Sequence, residues 1–368
     1  MPNTSRRTLL MAMTVVRASA ANSAPSVGVI GYGNRGAYLA RLVKEDGTGR
    51  VTAVSDLSDA KLAAAQRDFP EARVHRDFQQ LLKSDVDALI IATPVFLHAE
   101  HFAAAVASGK HIYFEKPAAA TVSDCKKILR IADSAPRTLN ISFGFQRRYG
   151  QVYQKAKQAH DRGAIGRIRW AQVQFVKSEG NRPRPANMVR PATADEKVKN
   201  WGDWQDLSGD LIVENNVHVI DVMNWFMGAR PTKAHGTGGR TSTGYGDMRD
   251  HVHVTYTYPD NVQGLLVGTT IAAPGFRAVF EQFHGASGTI ETSENYWKLL
   301  RGLKQEEGEK SPRSIALDSV SAFAKRVAEN RPENVAARGV ESTLTAILGR
   351  MAMDRGREVT WEEMMASA

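Results

Sequence analysis

The chain has a single cysteine, Cys125, among 368 residues, so no disulfide can close within it and its stability cannot depend on an oxidising compartment. That thiol lies in the helical pattern TVSDCKKILRIADSA with no base beside it in a recognisable motif, which marks a structural cysteine. Long hydrophobic runs are missing too. The apolar stretch from Thr8 to Val16 is shorter than the about 20 residues of a membrane-spanning helix, and no other segment is apolar enough to cross a bilayer. Internal repeats and extended low-complexity tracts are absent. No basic stretch alternates with aromatics in the manner of a nucleic-acid groove, so the formal charge of +9 suits an anionic cofactor or general solubility rather than a nucleic-acid partner.

Part of that charge sits in residues 1–24, where Arg6, Arg7 and Arg17 face no acid. Paired arginines, a short apolar stretch and small residues around ASAA resemble a twin-arginine signal peptide, with cleavage expected near Ala20 to Ala24 and a periplasmic or otherwise exported product. The alternative is a cytoplasmic protein that keeps this arm.

The whole chain is 42% hydrophobic in composition and long enough for two domains. From about residue 25 to 144, short β-rich runs (SVGVI, VTAVSD, VDALIIATP, HIYFEKP, TLNISFGF) alternate with helical patterns. That alternation predicts an α/β domain with a doubly wound parallel sheet, a Rossmann fold. Beyond it, over residues 145–368, GRIRWAQVQFV, HVHVTYTYP, VQGLLVGTTI, AVFEQFHG and GTIET come with few intervening helices. This predicts a C-terminal α+β domain on an open, mostly antiparallel sheet. The stretch from Lys177 to Asp206, rich in Pro, Arg, Asn and Trp, is long for a loop and is expected to shape a binding site.

VGVIGYGNRG, residues 27–36, follows the first strand and opens the first helix. In that context the G-x-G-x-x-G spacing assigns Gly31 to a tight turn, Gly33 to the close approach of a pyrophosphate and Gly36 to helix–strand packing. Asn34 and Arg35 complete the loop, and the helix amides would face the phosphates. Asp56, ending the second strand, is placed to bind the adenosine ribose, which favours NAD over NADP. Arg35 keeps NADP open, since an arginine can accommodate a 2′-phosphate.

Hydride-transfer chemistry on an alcohol needs a base for the hydroxyl proton and a donor for the oxygen. Glu115-Lys116-Pro117 stands just past a strand end, where Lys116 could reach a substrate oxygen, against the plain alternative of a surface lysine. In VENNVHVIDVMNWFMG, Glu214 and His218 are four apart and Asp221 lies three further on. On a helix the first two share a face, where a carboxylate would fix the imidazole tautomer and raise its pKa; a histidine satisfied in a helix interface is the competing reading. A metal site from Glu214, His218, His251 and His253 is conceivable from spacing, but the chemistry needs no metal and none is expected. Trp201 and Trp204 could stack on a sugar ring or simply pack within the loop.

Taken together, VGVIGYGNRG, ATPVFLHAEHFAAAVASGKHIYFEKP, GFQRRYGQVYQKAKQAHDRGAIGRI and VENNVHVIDVMNWFMG resemble the Gfo/Idh/MocA family, in the family's order and over nearly the whole chain after the leader. The resemblance implies an NAD(P)-dependent oxidoreductase acting on a sugar, polyol or glycoside hydroxyl, built as a homodimer or homotetramer. It gives Lys116 the role of polarising the substrate hydroxyl and His218, with Glu214, that of acid–base pair. Glu214 departs from the family's Asp. The same resemblance implies Thr93, Pro94, His98 and Glu115 on the nicotinamide side and Arg147 near the cofactor or substrate; Trp201 and Asp221 are expected toward the substrate. If the chain is exported, NAD would have to be retained and recycled within the site. That would fit a sugar oxidoreductase with trapped cofactor or an NAD-dependent glycosidase working through a transient keto-sugar. A sugar- or nicotinamide-sensing protein on the same fold is the non-catalytic alternative.

Overall fold

The computed structural model describes residues 24–178, 189–242 and 246–367. The leader and the centre of the Lys177–Asp206 stretch lie outside the described residues. Six strands build the first sheet: β1 (Ser26–Ile30), β2 (Arg50–Ser55), β3 (Arg73–His75), β4 (Ala88–Ile91), β5 (His111–Phe114) and β6 (Ile141–Phe143). Their order is β3-β2-β1-β4-β5-β6, and every pair is parallel. This is the doubly wound arrangement that the alternating pattern predicts, with the order reversing beside β1. Burial explains the sequence signal. Strand β4, Ala-Leu-Ile-Ile, is buried throughout because helices cover both faces of a parallel sheet.

Nine strands form the second sheet: β7 (Ile168–Lys177), β8 (Lys233–Gly239), β9 (His251–Thr257), β10 (Gln263–Thr269), β11 (Arg277–Gly285), β12 (Thr289–Ser293), β13 (Tyr296–Arg301), β14 (Lys304–Lys310) and β15 (Val359–Thr360). The order is β14-β13-β12-β11-β7-β10-β9-β8-β15. Strands β7 and β10 pair in parallel, and the other pairs are antiparallel. Alternating buried positions such as Ala171, Val173 and Phe175 turn one face inward. The helix Val217–Met227 packs there on β7 and β11, and Phe226 stacks on Phe283 with ring centres 4.2 Å apart.

The chain then returns to the first sheet. Ala316, Val320 and Phe323 of the helix Ile315–Ala328 are buried in one cluster with Val27, Val29, Tyr32 and Leu39. Ser319 meets the Tyr113 hydroxyl at 3.0 Å. The long helix Ala336–Arg355 packs between the helices Val122–Asp133 and Val217–Met227. The two sheets thus share a packed centre, and the site lies where the C-terminal ends of β1, β2, β4 and β5 meet the ends of β7 and β11.

Candidate active site

The glycine loop takes the shape its spacing predicts. Gly31 follows β1 with φ of +89°, a left-handed conformation, and a Cβ there would lie 2.8 Å from the Ala92 carbonyl oxygen. At Gly36 a Cβ would come within 1.8 Å of the Gly31 carbonyl oxygen, so the helix Asn34–Asp46 could not sit so close to β1. A Cβ on Gly33 would meet nothing within 4 Å: this glycine faces open space, as a backbone that admits a pyrophosphate must. Gly33 also caps that helix with no side-chain hydrogen bond, so its first turn, with exposed Asn34, retains amide donors for an anion.

Asp56 ends the second strand with its carboxylate fixed. Oδ2 accepts a hydrogen bond from the Tyr32 amide at 2.7 Å, and Oδ1 accepts one from the Ser58 amide at 2.9 Å. It opens on a cavity of about 470 Å³ whose walls include Gly31, Leu57, Phe78, Thr93 and Pro94. Largely apolar walls with the fixed Asp56 carboxylate at the end of β2 suit an adenosine with free ribose hydroxyls. Arg35 turns elsewhere. Its Nε donates to Glu115 Oε1 at 2.8 Å and its Nη2 to Gln146 Oε1 at 2.9 Å, so it lines the next cavity instead of flanking Asp56.

That next cavity, of about 350 Å³, is lined by Arg35, Thr93, Glu115, Lys116, Trp201, Glu214 and His218 among others. Thr93 lines both spaces, so the dinucleotide crevice and the inner cavity adjoin. Lys116 Nζ donates to the Glu214 carbonyl oxygen at 2.6 Å and to its Oε1 at 3.2 Å. Glu214 stands in a wide π-helical turn, Ile212–Asn216, that leads into the Val217–Met227 helix.

The shared face expected of Glu214 and His218 is present, since both line the inner cavity. Their expected pairing is corrected. The Glu214 carboxylate binds Lys116 and Asn215, while His218 Nδ1 is buried with no hydrogen-bond partner among the described residues. The His218 pKa is pushed well below its ordinary value rather than raised. Burial is the largest cause, and Lys116, Arg147, Arg35 and Lys177 add to it as nearby cations.

Three further assignments change. His98 is buried, with Nδ1 at 2.7 Å from the Pro117 oxygen and Nε2 at 2.9 Å from the Thr93 oxygen; it ties two site loops together and does not face the cofactor space. Arg147 is also buried, bonded to Glu294 Oε1 at 2.8 Å and Tyr153 Oη at 3.1 Å and paired with Glu281 at 3.3 Å, so it supports the site from behind. Asp221 accepts two hydrogen bonds of 2.9 Å from Arg148 and one of 2.7 Å from Ser342. Its position on the helix directs it to the Ala336–Arg355 helix, away from the substrate. Trp201 does line the cavity, whereas Trp204 is buried. His251 is held by Asp250 on β9, and among the described residues no three His, Cys, Asp or Glu side chains converge as metal ligands. Cys125 is fully buried, and burial pushes its thiol pKa up.

The structure adds residues that sequence reasoning missed. Asn215, Lys177, Phe175, Arg277 and Glu294 complete the inner wall. Trp201, Glu214, Asn215 and Lys177 also border an outer cavity of about 460 Å³. Gly144 leaves room for Glu115, whose carboxylate would lie 2.7 Å from a Cβ there. The glycine after β6 in SFGF was its only sequence signal.

A glycine loop, a fixed acid after β2 and a lysine beside a histidine in the adjoining cavity define an NAD-binding oxidoreductase of the Rossmann class. Two family models match in tandem: "Oxidoreductase family, NAD-binding Rossmann fold" over residues 26–143 and "GFO/IDH/MocA C-terminal domain" over residues 153–291. The chain belongs to the Gfo/Idh/MocA family. A myo-inositol 2-dehydrogenase of Thermotoga maritima is 22% identical over 356 residues, covering 92% of this chain and 99% of that protein. A 1-carboxy-3-chloro-3,4-dihydroxycyclohexa-1,5-diene dehydrogenase of Comamonas testosteroni is 29% identical over 54% of this chain, and the match spans only 46% of that relative. Among solved structures, a levoglucosan dehydrogenase in complex with NADH and levoglucosan has the same fold, with a TM-score of 0.77 at 18% identity, covering 91% of this chain and 99% of the other.

Proposed function

We propose that the protein transfers hydride between NAD and a secondary hydroxyl of a sugar or polyol. One observation carries the reading: Lys116 and His218 line one cavity, and that cavity shares Thr93 with the crevice built by the glycine loop and Asp56. Gly31, Gly33, Gly36 and Asp56 would hold the dinucleotide, which supplies the hydride acceptor when bound. Lys116, steadied by Glu214, presents its ammonium to the reacting oxygen and favours the alkoxide. His218 takes the proton. Its depressed pKa keeps the imidazole neutral at pH 7, the form that can accept one.

The polar lining of the inner cavity suits a polyhydroxylated ring, and Trp201 offers a flat apolar face for stacking. The names of two relatives, for myo-inositol and levoglucosan, are consistent with such a substrate. The test is NADH formation from inositols and pyranoses. Lys116→Met should keep NAD affinity and lower kcat by about a hundredfold or more, the scale of a lost proton-transfer or oxyanion contact. Release of an aglycone without net NADH would instead support the glycosidase chemistry.

Export through the twin-arginine route belongs to the same proposal, supported by Arg6, Arg7 and the small residues that follow. So does assembly into a dimer or tetramer. The open face of the second sheet offers the surface, with Trp170 more than a third exposed on β7. Fractionation of the native host and light scattering of the purified protein test the two points.

A further inference from the structure

One short segment of the second half of the chain reaches all three cavities of the site. The described residues that line the dinucleotide crevice lie between Ile30 and His101 with one exception, Val198, on the helix Ala194–Asn200. Lys199, next along that helix, borders the outer cavity, and Trp201, just after it, borders both the outer and the inner cavity. Val198 therefore shares a space with Asp56, Leu57 and Phe78, while Trp201 shares one with Lys116 and His218. A dinucleotide in the crevice would lie between the first sheet and this helix.

The helix is sharply started and loosely held. Thr193 and Glu196 cap it reciprocally: the Glu196 amide donates to Thr193 Oγ1 at 3.2 Å, and Glu196 Oε2 accepts from the Thr193 amide at 3.0 Å. None of its residues is buried, so lifting it from the crevice exposes little apolar area. Its two flanks are pinned to each other. Arg190 donates to Asp206 at 2.5 Å and stands 3.6 Å from Asp247, with its guanidinium 5.2 Å from the centre of the buried Trp204 ring. Asp247 in turn accepts from the Gln205 amide at 2.7 Å. The short helix Gln205–Ser208 packs on Val95–Leu97, whose Leu97 belongs to the crevice wall. A docked base, flanks tied by exposed ion pairs and an unburied helix between them are the parts of a strap that can swing.

We propose that residues 190–204 form a strap over the bound dinucleotide, in which Val198 covers the adenosine and the helix Ala194–Asn200 swings out before the cofactor leaves. The inference rests on the placement of the dinucleotide in the oxidoreductase reading above. Val198 is then a cofactor-binding residue supplied from outside the NAD-binding half, adding apolar cover to that of Leu57 and Phe78. Arg190 is a positioning residue that acts through the helix by holding the strap down. Because the same segment carries Trp201, closing over the cofactor also completes the wall of the cavity that holds Lys116 and His218.

The experiment is stopped-flow displacement of NADH from the purified protein by excess NAD, read as the loss of bound-NADH fluorescence, with association measured by mixing NADH with the empty protein. Val198→Asp places a carboxylate against the adenosine and should raise the release rate by about tenfold. Arg190 is half-exposed or more and is not part of the crevice wall. Arg190→Gln should raise release and association together, by about fivefold each, because an unpinned strap opens the way in both directions. A release rate unchanged in either variant overturns the strap, as does an Arg190→Gln protein whose association does not quicken. Hydrogen exchange across residues 194–200 should slow when NAD saturates the wild type, and exchange indifferent to NAD overturns the proposal as well. A wild type that binds no NADH contradicts the dinucleotide placement and the strap with it, whereas equal release from all three proteins overturns the strap alone.

Discussion

Three glycines in one loop make different demands, and single substitutions should separate them. Gly33 faces open space, so Gly33→Val is expected to fold with a melting temperature near that of the wild type and to lose NAD binding, measured by calorimetry. Gly36 lies against the Gly31 carbonyl, so Gly36→Ala must push the helix off β1 and should lower the melting temperature, at a cost of about 1–3 kcal/mol for an overpacked site. Equal behaviour of the two variants would contradict this division of roles. His218 makes a separate prediction about pH. Its pKa is below the ordinary 6.5, so the acid limb of kcat/KM should lie below pH 6.5. Lys177→Gln removes one of the depressing cations and should move that limb upward. A limb that stays in place or moves down would show that Lys177 does not act on His218.

At the level of elements, the parallel sheet was legible because its strands are buried on both faces and read as continuous apolar runs. Strand β3 was not, since Arg-Val-His is short and largely exposed at a sheet edge. Strand β8, Lys-Ala-His-Gly-Thr-Gly-Gly, has the composition of a loop and is held by β9 through backbone pairing rather than by its side chains. Strand β14 is almost wholly exposed and carries no apolar alternation. In the site, the family resemblance joined Lys116 to Glu214 and His218, and spacing gave only those last two a shared helix face. Neither could show that the glutamate would turn to the lysine, because that choice is made between elements 98 positions apart in the chain. The extra methylene of Glu214 therefore has a measurable role. Glu214→Asp should withdraw the carboxylate from Lys116 and leave the 2.6 Å contact to the backbone carbonyl, lowering kcat/KM by about tenfold or less. A loss as deep as that of Lys116→Met would mean that Glu214 takes part in the chemistry itself.

On the scale of the whole molecule, the division near residue 144 separates two patterns in the sequence but not two independent cores. Phe323 lies 179 residues beyond that point and is buried against the first sheet. Phe323→Ala should therefore destabilise the NAD-binding half by about 3–5 kcal/mol, and hydrogen exchange should show the loosening in β1 and β4. Loosening confined to the second sheet would contradict the shared packing. Glu281 ties the second sheet's stability to pH. Its carboxyl is raised by burial to about 7 from 4.5, so the native state holds a proton that the unfolded chain has released. This contribution is complete below about pH 4.5 and is lost as pH rises through about 7. Thermal melts of Glu281→Gln should accordingly fall less between pH 5 and 8 than those of the wild type.

The account turns on a lysine and a histidine working in one cavity beside a bound dinucleotide. The most direct measurement is NADH formation from a panel of inositols and pyranoses by the wild type and by Lys116→Met and His218→Asn, each first shown to bind NAD. The account predicts NADH from at least one member with the wild type and a loss of about a hundredfold or more in both variants at unchanged NAD affinity. Turnover that persists in either variant, or a wild type that binds NAD and oxidises no member of the panel, would contradict it.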